Sequence, residues 1–190
     1  DGETVEDLLK NADTAMYEAK QNGRNTSRFF HRGMSEALTR TLMIHRGLTE
    51  ALERGHFSLR FQPKFNRLRR SMAGAEALIR WQHPKLGDIP PLEFIPVAER
   101  TGQIVPIGNW VIGETCRHIR RWKRERMPAV KIAINLSREQ LRQPDFVESV
   151  LATIDAAEVE PDWIMFEMTE TVAMREAELT ADVIRRFQRA

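Results

Sequence analysis

The stretch GAEALIRW, residues 74–81, decides how this chain is read. As a β-strand, whose side chains alternate in direction, it sets Glu76, Leu78 and Arg80 on one face and Ala75, Ala77, Ile79 and Trp81 on the other. At a rise of about 3.3 Å per residue, Glu76 and Arg80 stand roughly 13 Å apart along that face. That span suits a metal ligand and a guanidinium clamp for a phosphate of one extended substrate. The same residues are also good helix formers, and in an amphipathic helix they would carry only a surface charge pair. The neighbouring sequence has to choose between the two.

Upstream, Phe57, Leu59 and Phe61 alternate with Ser58, Arg60 and Gln62, a strand that Pro63 is expected to break. Downstream, PPLEFIPVAERTG (residues 90–102) predicts a short helix with Pro96 in its first turn and Gly102 at its end. A longer helix then runs to about Arg126, with Ile107, Val111, Ile119 and Trp122 inward. Its last turns carry Arg117, Arg120, Arg121, Lys123, Arg124 and Arg126, which could be read as a nucleic-acid footprint. Cations near a helix C-terminus are favoured by the macrodipole, and a solvated face needs no partner, so no nucleic-acid partner is expected.

VKIAINLS (residues 130–137) is a third strand, with Val130, Ile132, Ile134 and Leu136 on one face and Ala133 and Asn135, expected to be buried, on the other. Ser137 and Gln140 form a capping box, and Pro144 is expected to start a helix carrying Phe146, Val147, Val150, Leu151 and Ile154. A fourth strand over residues 163–168 delivers Glu167 on the face of Met165, and Glu170 follows at the turn into one final helix ending at Ala190. Strand and helix thus alternate, and polar side chains gather at the carboxyl ends of strands, as in an α/β barrel enzyme. Glu76, Asn135 and Glu167 make a set of three oxygen ligands without histidine or cysteine. Such a set suits a hard cation, Mg²⁺ or Mn²⁺, rather than structural zinc.

The first fifty-odd residues read as helices. Thr4 and Asp7 resemble a capping box for Val5, Leu8, Leu9, Ala12, Met16 and Ala19 at helical spacing, up to Gly23. Residues 34–54 form a linker helix with Leu38, Leu42, Leu48 and Leu52 inward and Gly55 as terminator. With 42% hydrophobic and 29% charged residues the chain is globular rather than disordered, and a net charge of +2 neither demands nor excludes an anionic ligand. The single Cys116 permits no internal disulfide and fits a reducing compartment, so the cytoplasm is expected. No apolar run approaches the ~20 residues of a membrane span. A start at Asp1 rather than Met suggests a fragment of something longer.

FSLRFQPKF, EALIRW, PPLEFIPVAERTG, INLS and FEMTET, in this order over residues 57–171, resemble the first half of an EAL-type cyclic di-GMP phosphodiesterase domain. ADTAMYEAK and NGRN, residues 12–25, with Phe29 and Phe30, resemble the C-terminal end of a GGDEF (diguanylate cyclase) domain. The expected organisation is a GGDEF remnant at 1–30, a linker helix at 31–55 and the N-terminal half of an EAL domain at 56–190. The EAL resemblance implies a TIM-like barrel with an antiparallel first strand and a two-metal hydrolase that opens cyclic di-GMP to linear pGpG. It also implies that Glu76, Asn135 and Glu167 bind metal, that Arg80 and Gln62 bind substrate, and that Glu170 supports a loop of the site. The GGDEF resemblance matches Lys20 and Arg24 to phosphate-contacting positions, read here as solvated charge because that family's signature loop, metal acids and sheet are not in these residues. The family's paired-aspartate motif does not occur in this sequence, so the chain alone is expected to be inactive. Its open sheet edge is expected to favour aggregation, self-association, a homodimer for instance, or completion of the barrel by a second polypeptide. The alternative function is a non-catalytic EAL module that binds cyclic di-GMP or a partner protein.

Overall fold

Strand β1 (Phe57–Asn66) runs antiparallel to β2 (Ser71–His83), with Phe57 opposite Trp81 and Asn66 opposite Ser71. The computed structural model describes residues 2–21, 25–66, 71–128 and 130–189. GAEALIRW is therefore strand. A hairpin not anticipated from sequence folds β3 (Gly87–Ile89) back on β2, while β4 (Lys131–Asn135) pairs parallel to β2 and β5 (Ile164–Glu167) parallel to β4. The sheet order is β1-β2-β4-β5, with β3 beside β2. This is a mixed α/β fold.

Pro63 does not end its strand, which continues to Asn66. Among the described residues β1 is an edge strand with β2 as its one neighbour, and an edge tolerates a proline whose missing N–H would point away from the ladder. Between Lys64 and Phe65 the register shifts, leaving Ala73 of β2 as the extra, unmatched residue of a bulge.

Helices cover one face of this sheet. α3 (Pro91–Thr101) begins at Pro91, not at Pro96, because the fixed φ of a proline suits the first turn; Pro96 lies in its interior. Gly102 ends it in the left-handed conformation at φ 74°. α4 (Ile104–Arg124) buries Ile107, Val111, Cys116 and Ile119. Phe57, Trp81, Phe94 and Trp110 cluster with Phe57 at ring-centroid distances of 5.6, 5.9 and 5.8 Å from the other three. Burying rings of this size contributes about 2–3 kcal/mol each. Cys116 is fully buried, which pushes its thiol up to about 11.

After β4 come α5 (Arg138–Leu141), capped by Ser137 and Gln140 as expected, and α6 (Phe146–Ala156), which starts two residues past Pro144. A 3-10 turn, Pro161–Trp163, takes the residue expected to open β5. The expected single last helix is two, α7 (Glu170–Arg175) and α8 (Ala177–Arg189), parted at Glu176 with φ −123° and ψ 43°. Phe187 of α8 stacks on Phe166 of β5 at 5.2 Å, so α8 joins the helical layer. Ala190 lies outside the described residues.

The chain divides into two compact units, Asp1–Gly47 and Leu48–Ala190. The first holds α1 (Val5–Gln21) and most of α2 (Arg32–Glu53). Asp7 N–H donates to Thr4 Oγ1 at 3.1 Å, as the capping motif requires. Of the apolar positions expected inward on α1, Ala19 is buried, whereas Val5, Leu8, Leu9 and Met16 are exposed. On α2, Met34 and Ile44 are buried and Leu42 is exposed. Gly23, the expected stop of α1, and Arg24 lie outside the described residues. No described helix is long and apolar enough to cross a membrane.

Candidate functional site

Register and alternation together decide which side chains meet. Gln62 lies opposite Glu76, Lys64 opposite Gly74, Glu76 beside Ala133, and Asn135 beside Glu167. Paired residues point to the same side of a sheet, so Gln62, Lys64, Glu76, Arg80, Asn135 and Glu167 share the face opposite the helices. Glycine is required at position 74, because a Cβ there would stand 2.5 Å from the Lys131 carbonyl oxygen. The turn after Asn135 is fixed by its cap: Ser137 N–H donates to Gln140 Oε1 at 3.1 Å.

At the centre of the face, Asn135 Nδ2 donates to Glu76 Oε1 at 2.7 Å. Lys64 Nζ donates to Glu167 Oε1 at 2.6 Å and lies 3.9 Å from Glu76 Oε2. Lys64 and Glu167 come from the two outer strands of the four-strand path. Strands about 4.8 Å apart set the two backbones roughly 14 Å apart, so the long lysine and glutamate side chains must lean toward each other across β2 and β4 to make this contact. Glu76, Asn135 and Glu167 are thus brought together, with a cation among them that the sequence reading missed.

Asn135 is exposed rather than buried. Alternation gives the face but not the depth, and Asn135 is the last residue of β4, where the carboxyl ends of the strands open to solvent. Arg80 stands further along β2 and donates from Nη1 to the Ile79 carbonyl at 2.8 Å. It lines a cavity of about 650 Å³ with Ser58, Arg60, Gln82 and Asp88. Two guanidinium groups and one carboxylate give this recess its charged lining, and Trp81, Ile89, Pro90 and Pro91 give it an apolar wall. Gln62 is exposed on the same face. Glu170 is exposed in the first turn of α7, and among the described residues no hydrogen bond joins it to Glu76, Asn135 or Glu167. Lys20 is exposed in the last turn of α1, in the other unit, and Arg24 lies outside the described residues.

The donor set fits a hard divalent cation. Two carboxylates and an amide offer oxygen atoms, the Asn135 bond to Glu76 uses only its nitrogen, and a positive charge already sits against both acids. Among the described residues, no group of three His, Cys, Asp or Glu side chains is placed to hold a metal ion. The basic turns of α4 are largely compensated: Arg117 pairs with Glu114, Arg120 with Glu158 at 2.9 Å, Arg121 with Glu125 at 3.6 Å and Lys123 with Glu160 at 2.5 Å.

The EAL domain family model matches residues 45–190. MucR of Pseudomonas aeruginosa, a bifunctional diguanylate cyclase/cyclic di-GMP phosphodiesterase, is 40% identical over 184 residues, covering 97% of this chain and 27% of that protein. The cyclic di-GMP phosphodiesterase PdeR of Escherichia coli is 35% identical over 180 residues, covering 95% and 27%. The solved structure of the PaMucR phosphodiesterase in complex with c-di-GMP superposes with a TM-score of 0.73 at 38% identity, covering 77% of this chain and 59% of that one. The chain spans about a quarter of the length of these two curated relatives. With an antiparallel strand leading parallel ones, acids and an amide gathered on the open face and a family match over most of its length, the chain belongs to the EAL domain family.

Proposed function

We propose that the protein acts on cyclic di-GMP as a phosphodiesterase, opening the ring to linear pGpG. The observation that carries this is the meeting of Glu76, Asn135 and Glu167 on one sheet face that also presents Arg80 and Gln62. In this reading the three side chains hold Mg²⁺ or Mn²⁺. The chemistry such a cation supplies when bound is neutralisation of the phosphodiester charge and acidification of the attacking water. Arg80 binds a phosphate through its guanidinium fork, which matches two oxygens at once. Gln62 hydrogen-bonds the dinucleotide across the ladder from Glu76, and Glu170 steadies the loop that follows Glu167. The family's paired-aspartate motif does not occur in the 190-residue sequence, and in this reading the chain alone is inactive. Residues 1–30 are the end of a GGDEF domain, residues 31–55 a linker, and the protein works in the cytoplasm.

A receptor that binds the dinucleotide without cleaving it is the second reading. It draws on the Lys64 contact, which satisfies Glu167 without a metal ion. The test is conversion of cyclic di-GMP to pGpG with Mg²⁺ or Mn²⁺, followed by chromatography, for this chain and for a version continued along its reading frame. Product from the longer protein, abolished by Asn135→Ala, supports the hydrolase. Tight binding by the longer protein with no product supports the receptor and overturns the enzymatic assignment.

A further inference from the structure

We propose that Lys64 is the built-in counter-ion of the cation site: its ammonium holds Glu76 and Glu167 before the divalent ion arrives and is displaced when that ion binds. This rests on reading Glu76, Asn135 and Glu167 as cation ligands. Three features support it. The ammonium touches Glu167 at 2.6 Å and lies within 3.9 Å of Glu76, so it competes for the same oxygen atoms. Its cross-strand partner is Gly74, whose missing side chain leaves the lysine free to lean over β2, and the regular ladder breaks just past this pair, where Ala73 of β2 has no partner in β1. Finally, Lys64 lies on the edge strand with its side chain 36% exposed, so its flexible stem can carry the charge out to solvent.

Two facing carboxylates repel each other, and a tethered ammonium relieves that repulsion. The same ammonium weakens the site for a dication, since a divalent ion must first break two contacts. Partly exposed ion pairs of this kind are worth up to about 1 kcal/mol each. Removing the charge should therefore tighten divalent binding by about fivefold, on the order of one such pair.

Mn²⁺ binding by titration calorimetry to the 190-residue chain, to Lys64→Met and to the double variant Glu76→Gln/Glu167→Gln tests this. Methionine keeps the apolar stem, and the partial exposure of Lys64 makes loss of folding a minor risk that a melting curve checks. In parallel, the rate at which an amine reagent modifies Lys64 of the unaltered chain is read by mass spectrometry with and without Mg²⁺. Tighter Mn²⁺ binding by Lys64→Met and faster labelling of Lys64 in Mg²⁺ are the expected results. Equal or weaker binding by Lys64→Met, or labelling that ignores Mg²⁺, overturns the counter-ion role and leaves the cation site standing. If the double variant binds Mn²⁺ as the unaltered chain does, the cation site itself is wrong, and the inference falls with it.

Discussion

Gly74 and the carbonyl of Lys131 approach so closely that a Cβ on Gly74 would stand 2.5 Å from the oxygen. Only a residue without a side chain lets β2 and β4 pair here, two residues before Glu76. Gly74→Ala must push the ladder apart at that point, a cost of about 1–3 kcal/mol. The melting temperature should fall by several degrees, at roughly 2–4 °C per kcal/mol for a chain of this size. Because Glu76 and Asn135 meet across the same ladder, Mn²⁺ affinity should fall in the same variant. An unchanged melting temperature would mean that the strands part without cost and that the close approach does not hold the site.

How much of this was legible in the sequence depended on which physical cue each residue offered. Alternation placed Gln62, Glu76 and Arg80 on one face of their strands and Asn135 and Glu167 on another pair, and the register joins those faces into one. It failed at Pro63, where the rule that proline breaks strands ignored the exemption of an edge. Ending β1 there hid Lys64, the next inward residue, and with it the charge between the two acids. The burial expected for Asn135 was wrong because a period of two reports direction and not distance from the strand's end. β3 is three residues long, too short to show a period, and no glycine or proline marks the break at Glu176 between α7 and α8.

His118 gives the fold a pH dependence. Its ring packs on Phe61 at 5.0 Å and Trp122 at 5.7 Å, and this burial, with Arg121 and Arg117 nearby, holds its pKa below the ordinary histidine value of 6.5. Glu114, 3.3 Å from Nε2, pulls the other way, but that carboxylate also pairs with Arg117. Burial and the two arginines therefore prevail. A histidine whose folded pKa is depressed takes up its proton first in the unfolded chain. Its contribution is complete above about pH 6.5 and is lost as pH falls from there toward the folded value. Urea midpoints at pH 7.5 and 5.5 should drop further in the unaltered chain than in His118→Gln, since groups common to both cancel in the comparison. Identical drops would show that His118 is not the group responsible.

The turn that carries the chain away from Asn135 is seated in a notch of α4. A Cβ on Gly108 would stand 2.1 Å from Gln140 Nε2, and Gln140, 2% exposed, is the residue whose Oε1 receives the Ser137 N–H. Its Nε2 has no hydrogen-bond partner among the described residues, so fit rather than bonding holds that end in place. Gly108→Ala should expel the glutamine and cost about 1–3 kcal/mol, despite the better helix propensity of alanine. In a Gln140→Ala background the notch is empty, and the same change should be neutral or stabilising by up to about 1 kcal/mol. A double-mutant cycle in urea should therefore give a coupling above about 1 kcal/mol. Costs that add within about 0.5 kcal/mol would mean the two residues do not compete for one space, and the cap after Asn135 would then owe its position to the Ser137 hydrogen bonds alone.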